Sequence, residues 1–244
     1  MPKFFVSSDA VNGDTITLSG PGAEHLKVLR VREGEELTVN AADTDYHCAV
    51  EYASGGAFRL QILSSAAAEG EPDVSAVIYA ALPKGDKTET IIQKAVELGA
   101  ARICFFLSSR CVARPDAKAL KGKLERWNKI AEAAAMQSYR GKIPEVTWLP
   151  DMDSMLREAS TAELRAFLWE DAREVSLRTL IRNAGAFHTA ALITGPEGGL
   201  SGEDAQRAES SGILPVTLGK RILRCETAPL VALGAVMLET GNME

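Results

Sequence analysis

Long apolar runs are missing from this sequence of 244 residues. No run approaches the ~18 consecutive apolar residues that a membrane-spanning helix needs. The N-terminal stretch MPKFFVSSDAVNGD contains too short an apolar patch for a secretion signal. Cysteine is scarce as well, and the four that occur form no C-x-x-C pair. We therefore expect a cytoplasmic protein with reduced thiols and no membrane association.

Histidine is equally rare, with three scattered copies. Because neither an H-E-x-x-H motif nor a Cys/His cluster is present, the sequence predicts no metal site. The remaining composition, 46% hydrophobic and 25% charged, is that of an ordinary globular protein. The length suits one large domain or two modest ones.

A strong net charge is also absent, since the formal value is -6. The distribution is nevertheless uneven. Residues 84–142 carry a net charge of +7, whereas residues 1–83 carry -7 and residues 143–244 carry -6. This basic block indicates a phosphate-rich partner such as RNA. The alternative is a solvated Lys/Arg helix face, as in KALKGKLERWNKI.

The hydrophobic pattern changes near residue 74. Residues 1–63 contain short β segments separated by Gly-containing turns and one short helix, which predicts a small β-barrel. The small and acidic stretch SSAAAEGEPD at residues 64–73 is interpreted as a linker. From VSAVIYAAL onward, apolar strands alternate with amphipathic helices to the end of the chain. This pattern predicts an α/β domain with a parallel sheet.

One predicted strand ends in the sequence ITGPEGGLSGEDA, which matches neither of the common phosphate-binding glycine motifs. Ser201 and Asp204 have the spacing of a capping box, which predicts a helix start. The glycines allow close approach of the backbone to a ligand. Glu197 would repel a phosphate, so the loop suits a neutral or cationic ligand.

A second predicted strand ends at Gly219 in PVTLGKRILRCETAPLVAL, and Thr227 or Glu226 is expected to cap the last helix. Ligands of parallel α/β sheets bind at the carboxyl ends of the strands, so the two loops should form one crevice. Backbone groups and apolar side chains would form its walls, with charges at the rim. Such a crevice suits an adenosine-like, weakly charged molecule.

The pair GPEGGLSGED and LGKRILRCETA resembles the ribosomal RNA small subunit methyltransferase E family, and LPKGDKTETIIQKAVELGA, SSRCVARP and AAAMQSYRGKIPEV support the resemblance along nearly the whole chain. These are S-adenosylmethionine-dependent 16S rRNA uridine N3-methyltransferases of the SPOUT superfamily. The resemblance implies a PUA-like RNA-binding β-barrel with linker at residues 1–72. It implies a SPOUT α/β domain with a trefoil knot at residues 73–244, and a homodimer. From its apolar sequence, the last helix APLVALGAVML is the expected seam of that dimer.

By the same resemblance, two segments form the walls of the cofactor site. The residues implied to bind S-adenosylmethionine are Thr194, Gly195, Pro196, Glu197, Gly198, Leu218, Gly219, Ile222, Leu223, Arg224, Thr227, Ala228 and Leu230.

Methylation of uracil N3 requires loss of a proton, and negative charge then develops on the flanking carbonyl oxygens. A cation near those oxygens would stabilise it. We expect Arg140 first, then Arg110 and Arg224, to supply this charge, and the alternative for each is a phosphate contact or a salt bridge. Glu197 and Glu226 are candidate bases, although loop ordering and helix capping are the alternatives. Cys225 is interpreted as structural.

An RNA-binding face is expected from both domains and comprises Lys27, Arg30, Arg32, Lys84, Lys87, Arg110, Arg114 and Arg140. The small ribosomal subunit or its 16S rRNA is the expected partner. Two other functions stay open: ribose 2′-O-methylation of rRNA or tRNA, and a non-catalytic RNA-binding or assembly role.

Overall fold

The computed structural model describes residues 3–243, except for the side chains of residues 53 and 54. The chain forms two compact units. The first comprises the chain up to Glu71 together with Ala135–Ile143, and the second comprises Pro72–Ala134 and the chain from Pro144 onward. The division predicted at residues 72/73 differs from this arrangement because it leaves Ala135–Ile143 in the second part.

The first unit contains a six-stranded sheet in the order β1-β4-β5-β6-β3-β2, with a parallel β1–β4 pair and otherwise antiparallel pairing. Its elements are β1 (Phe4–Phe5), β2 (Val11–Asn12), β3 (Thr15–Leu18), α1 (Gly20–Val28), β4 (Glu36–Ala41), β5 (Thr44–Ser54) and β6 (Ala57–Ala67). Alternating apolar residues such as Ile16, Val39 and Leu60 build its core. Because β6 runs to Ala67, the linker predicted at residues 64–73 is wrong over its first four residues.

The second unit contains a six-stranded sheet in which every pair is parallel, in the order β12-β10-β11-β7-β8-β9. This confirms the predicted α/β class. The strands are β7 (Ser75–Ala81), β8 (Arg102–Phe106), β9 (Glu145–Leu149), β10 (Leu164–Leu168), β11 (Thr189–Thr194) and β12 (Leu214–Val216). The helices are α2 (Lys87–Glu97), α3 (Ala117–Gln137), α4 (Met152–Ala159), α5 (Leu177–Ala184), α6 (Gly202–Ser210) and α7 (Ala228–Glu239). The last three residues of α3 belong to the first unit.

Local chemistry explains two helix starts that border the candidate site. Ser201 accepts a hydrogen bond from the Asp204 backbone, and Asp204 accepts one from the Ser201 backbone, so the predicted capping box is present at α6. Thr227 is the N-cap residue of α7, but its side chain makes no capping bond. The prediction of a cap is therefore wrong for Thr227, and proline at the first turn favours the helix. No helix among residues 3–243 is both long and apolar enough to cross a membrane.

An ion pair holds Ala135–Ile143 within the first unit. The Arg140 guanidinium donates from Nε and Nη2 to the two carboxylate oxygens of Glu71, each at 2.8 Å. Glu71 Oε1 also accepts from the amides of Gly141 at 2.8 Å and Lys142 at 3.2 Å. The Arg140 side chain is only 4% exposed, so the pair is largely shielded from solvent. Burial alone would raise the pKa of Glu71, but Arg140 and the two amides outweigh it and the pKa is lowered.

We expect Glu71→Gln to lower the free energy of unfolding at pH 7 by about 3 kcal/mol, because a buried cation loses its partner. A carboxyl group with a lowered folded-state pKa stabilises the protein above its unfolded pKa of about 4.3. That stabilisation disappears as the pH falls through the folded-state value. The difference between wild type and variant should therefore shrink in acid. Urea unfolding at several pH values measures both effects.

Glu69→Gln is a suitable control, because Glu69 is an exposed carboxylate two residues away. It should leave the stability within about 0.5 kcal/mol of wild type. If both variants have the same stability at pH 7, the Arg140–Glu71 pair contributes nothing to the fold.

Candidate functional site

A cavity of about 810 Å³ opens where three neighbouring strands of the parallel sheet end. β10 lies between β11 and β12, so the segments that follow Leu168, Thr194 and Val216 meet at one edge. All residues that line the cavity belong to the second unit. The volume is within the ~300–1,000 Å³ typical of small-molecule sites.

The structure brings together most of the residues that the sequence assigned to the cofactor. Those that line the cavity are Thr194, Gly195, Pro196, Glu197, Gly198, Leu218, Gly219, Ile222, Leu223, Arg224 and Ala228. Thr227 and Leu230 do not line it. The two separated motifs thus form one pocket, as their spacing at strand ends predicted.

Sequence reasoning missed a third wall, which follows β10. Trp169, Glu170 and Arg173 line the cavity, and Lys87 contributes from the start of α2. The sequence signal was the apolar strand ELRAFL followed at once by WEDAR. Recognising it required the strand order, because only the position of β10 between β11 and β12 places this segment beside the other two.

The Gly-Pro-Glu-Gly-Gly loop is a tight turn whose carbonyls are held from outside. Gly199 has φ +66° and donates to Pro196 O at 2.9 Å. A β-carbon on Gly195 would come within 2.8 Å of the Gly199 carbonyl carbon, so only glycine fits there. Arg110 Nη1 donates to Gly198 O at 2.9 Å and Leu200 O at 3.3 Å. Trp169 Nε1 donates to Leu200 O at 3.2 Å. The loop is therefore fixed by the protein itself.

Glu197 is held by hydrogen bonds rather than exposed as a base. Its Oε1 accepts from the Lys84 amide and from Lys87 Nζ, both at 2.9 Å. Burial would raise the pKa of Glu197, but Lys87 and the Lys84 amide outweigh it and the pKa is lowered. A carboxylate with a lowered pKa is a weak proton acceptor, so this geometry favours loop ordering.

Cys225 and Glu226 complete the same corner of the site. Lys87 Nζ lies 3.9 Å from Cys225 Sγ and 3.9 Å from Glu226 Oε2. Burial, the hydrogen bond to Glu226 and the charge of Glu197 raise the pKa of Cys225 to about 12. A raised pKa favours the protonated thiol at neutral pH, in agreement with a structural role for Cys225. Burial would raise the pKa of Glu226, but hydrogen bonds from its own backbone and from Cys225 lower it.

Thr194 ends β11 and is one of the residues that line the cavity. The residue is 1% exposed, and its hydroxyl has no hydrogen-bond partner among residues 3–243. A buried hydroxyl without a partner costs about 1–3 kcal/mol.

The three candidate catalytic arginines lie in different settings. Arg224 is exposed and lines the cavity. Arg110 contacts the outer side of the glycine loop through the bonds described above. Arg140 belongs to the first unit, where Glu71 engages it at 4% exposure. Arg140 therefore forms a salt bridge, which is the alternative that the sequence left open for it. Of the three arginines, Arg224 is the one that lines the cavity.

The predicted RNA-binding residues divide evenly between the units. Lys27, Arg30 and Arg32 are exposed in the first unit, where Lys27 pairs with Glu24 at 2.6 Å. Lys84, Arg110 and Arg114 are exposed in the second unit, and Lys87 is half-buried against Glu197. Buried Arg140 is the exception. Within the described part of the chain, no group of three or more His, Cys, Asp or Glu side chains could hold a metal ion.

Comparison with known proteins agrees with this geometry. Residues 70–237 match the RNA methyltransferase domain family. The chain is 33% identical over 98% of its length to the ribosomal RNA small subunit methyltransferase E of Bacillus subtilis, of which it covers 97%. It is 32% identical over 99% of its length to the Mycobacterium bovis protein of the same name, of which it covers 93%.

Solved structures give the same result. A ribosomal RNA small subunit methyltransferase E from Neisseria gonorrhoeae bound to S-adenosyl methionine superimposes with a TM-score of 0.87 at 30% identity, over 98% of both chains. A methyltransferase from Legionella pneumophila with bound cofactor SAM also gives 0.87, at 28% identity over 97% of both chains. This chain belongs to the ribosomal RNA small subunit methyltransferase E family of RNA methyltransferases.

Proposed function

We propose that this protein transfers a methyl group from S-adenosylmethionine to N3 of a uridine in 16S rRNA of the small ribosomal subunit. The observation that carries the proposal is the single cavity formed by the GPEGG and LGKRILRCETA motifs at adjacent strand ends. Family membership supports rRNA methylation. The choice of uracil N3 as the methylated atom rests on the resemblance of those motifs and on the position of Arg224 in the cavity wall.

The residues present fit the cofactor. The cavity has the volume of a small-molecule site, its glycines expose backbone groups, and the Thr194 hydroxyl lacks a partner among the described residues. Thr194, the glycine loop and the segment from Leu218 to Leu223 would hold it. Apolar Leu218 and Leu223 suit a neutral nucleoside better than a phosphate. When bound, the cofactor supplies an electrophilic methyl group.

The protein's contribution to the chemistry is charge stabilisation and positioning. Removal of the N3 proton leaves negative charge on uracil O2 and O4, and a fixed cation lowers the free energy of that state. Arg224 is the favoured cation, because its guanidinium is exposed in the cavity wall. Arg110 acts by holding the loop carbonyls in place. A role for Arg140 at the reacting base would require it to leave Glu71, and it stays a less favoured prediction.

The assembly around this site is part of the proposal. The first unit is a PUA-like RNA-binding module, the second carries a trefoil knot, and two copies form a homodimer in the cytoplasm. Val231 and Leu238 on α7 are 44% and 61% exposed, which supports a second copy against that apolar helix. Ribose 2′-O-methylation and a non-catalytic assembly role are the alternatives that the next experiment separates.

We expect labelled methyl transfer from S-adenosylmethionine to unmodified small subunits or naked 16S rRNA, with 3-methyluridine as the product nucleoside. Mass spectrometry of the digested RNA identifies it. A 2′-O-methylated nucleoside would assign the ribose reaction instead. Cofactor binding without transfer to either RNA would leave a binding protein.

Thr194→Val should weaken cofactor binding by about tenfold, because the bound ligand loses a hydrogen bond. The ligand-free protein should become slightly more stable, since the buried hydroxyl without a partner is removed. Calorimetric titration and thermal unfolding give the two quantities. Weaker cofactor binding together with higher stability identifies a ligand contact. Weaker binding together with lower stability indicates general damage to the fold.

Thr147→Val is the matched control. The Thr147 hydroxyl is also shielded from solvent, but it lies on β9 and outside the cavity wall. The control should bind the cofactor as wild type does. Unchanged affinity in Thr194→Val would remove Thr194 from the site.

Arg224→Ala should lower kcat by about 100-fold at saturating RNA and cofactor, the usual cost of losing one charge-stabilising donor. The affinities for RNA and cofactor should change far less. Arg224→Lys, which keeps a cation but not the planar guanidinium, should recover part of the rate. Single-turnover kinetics with separate binding titrations make the distinction. A loss confined to RNA affinity would identify Arg224 as a phosphate contact.

A further inference from the structure

The cavity wall is strongly basic, yet it contains two carboxylates, Glu170 and Glu197. The basic residues of the wall are Lys87, Arg173, Lys220, Arg221 and Arg224. Glu197 is neutralised by Lys87 at 2.9 Å. Glu170 is therefore the one remaining negative charge of the wall.

Glu170 is exposed, and its carboxylate makes no hydrogen bond or ion pair with any of residues 3–243. The adjacent Arg173 does not turn toward it. Arg173 Nη1 donates to the backbone oxygens of Glu170 at 2.5 Å and Ala172 at 3.0 Å. Its Nη2 lies 3.7 Å from the Asp171 carboxylate. The charge of Glu170 thus remains available to a ligand.

The glycine loop has room for this carboxylate. A β-carbon built on Gly199 would lie 2.2 Å from Glu170 Oε1 and 2.8 Å from Oε2, so any larger residue at 199 would displace the acid. Gly199 also has φ +66°, which favours glycine independently. The carboxylate consequently packs directly against the same turn that Arg110 and Trp169 contact.

We propose that Glu170 is the counter-charge for the cofactor and selects the positively charged ligand over neutral nucleosides. The proposal rests on the proposed function, since it takes S-adenosylmethionine as the ligand. That molecule carries a sulfonium and an ammonium group against one carboxylate. Apart from Lys87, which pairs with Glu197, four basic residues remain in the wall and repel a ligand with net positive charge, and an unpaired carboxylate beside the loop offsets this repulsion.

The test is a calorimetric titration of wild type, Glu170→Gln and Asp171→Asn with three ligands. S-Adenosylmethionine carries both cationic groups, S-adenosylhomocysteine carries only the ammonium, and 5′-methylthioadenosine carries neither. Glu170→Gln keeps the shape of the side chain and removes its charge. Asp171→Asn makes the same charge change one residue away, outside the cavity wall. Melting temperatures confirm that the variants fold.

We expect Glu170→Gln to weaken S-adenosylmethionine about tenfold and to leave 5′-methylthioadenosine within twofold, while Asp171→Asn binds all three as wild type does. The response to S-adenosylhomocysteine identifies the cation. If Glu170→Gln weakens S-adenosylhomocysteine as much as S-adenosylmethionine, Glu170 contacts the ammonium group. If the affinity for S-adenosylhomocysteine is unchanged, Glu170 contacts the sulfonium group.

Two results would overturn the inference while leaving the proposed function intact. One is unchanged affinity for S-adenosylmethionine in Glu170→Gln. The other is an equal loss for all three ligands, which would place Glu170 at the ribose. If wild type itself failed to bind S-adenosylmethionine, the proposed function and this inference would fall together.

Discussion

Parallel pairing of β10 with both β11 and β12 is the constraint on which the site depends. Phe167 pairs with Ile193 on one side and with Pro215 on the other, so the three strands end at the same edge. The chain therefore leaves β10, β11 and β12 within reach of a single ligand. Backbone hydrogen bonds between the strands maintain this register and do not require particular side chains in the loops. The loop sequences can therefore supply the groups that bind a ligand.

The loops themselves are held by contacts within the protein. Arg110 and Trp169 bind the carbonyls of the glycine loop, and Lys84 and Lys87 bind the Glu197 carboxylate. A preformed loop loses less conformational entropy on binding than a mobile one. Arg110 and Glu197, which the sequence offered as catalytic candidates, therefore make contacts that hold these loops. Glu170 and Arg224, by contrast, have exposed side chains in the cavity wall.

The basic block of residues 84–142 is less available to RNA than its net charge of +7 indicates. Arg126 pairs with Glu89 at 2.6 Å, Lys94 pairs with Glu97 at 2.8 Å, and Arg102 pairs with Glu158. Buried Arg140 is engaged by Glu71. A linear charge count cannot include such pairs, because acidic partners such as Glu158 and Glu71 lie outside the block. The exposed Lys84 side chain, which makes no ion pair with the described residues, is a better candidate for phosphate contact.

Local patterns were enough to predict the parallel α/β class, the capping box at Ser201 and the two strand ends that carry the cavity, because hydrophobic periodicity and turn chemistry act over a few residues. They did not predict the third wall at Trp169 and Glu170, since strand order is a long-range property. They also ranked Arg140 first among the candidate catalytic arginines. A sequence motif shows which residues occur together, but it does not show which carboxylate a guanidinium reaches. The sequence by itself therefore determined the elements and the main binding loops. Tertiary structure decided which strand lies between which, and hence which charges face the ligand and which are neutralised within the protein.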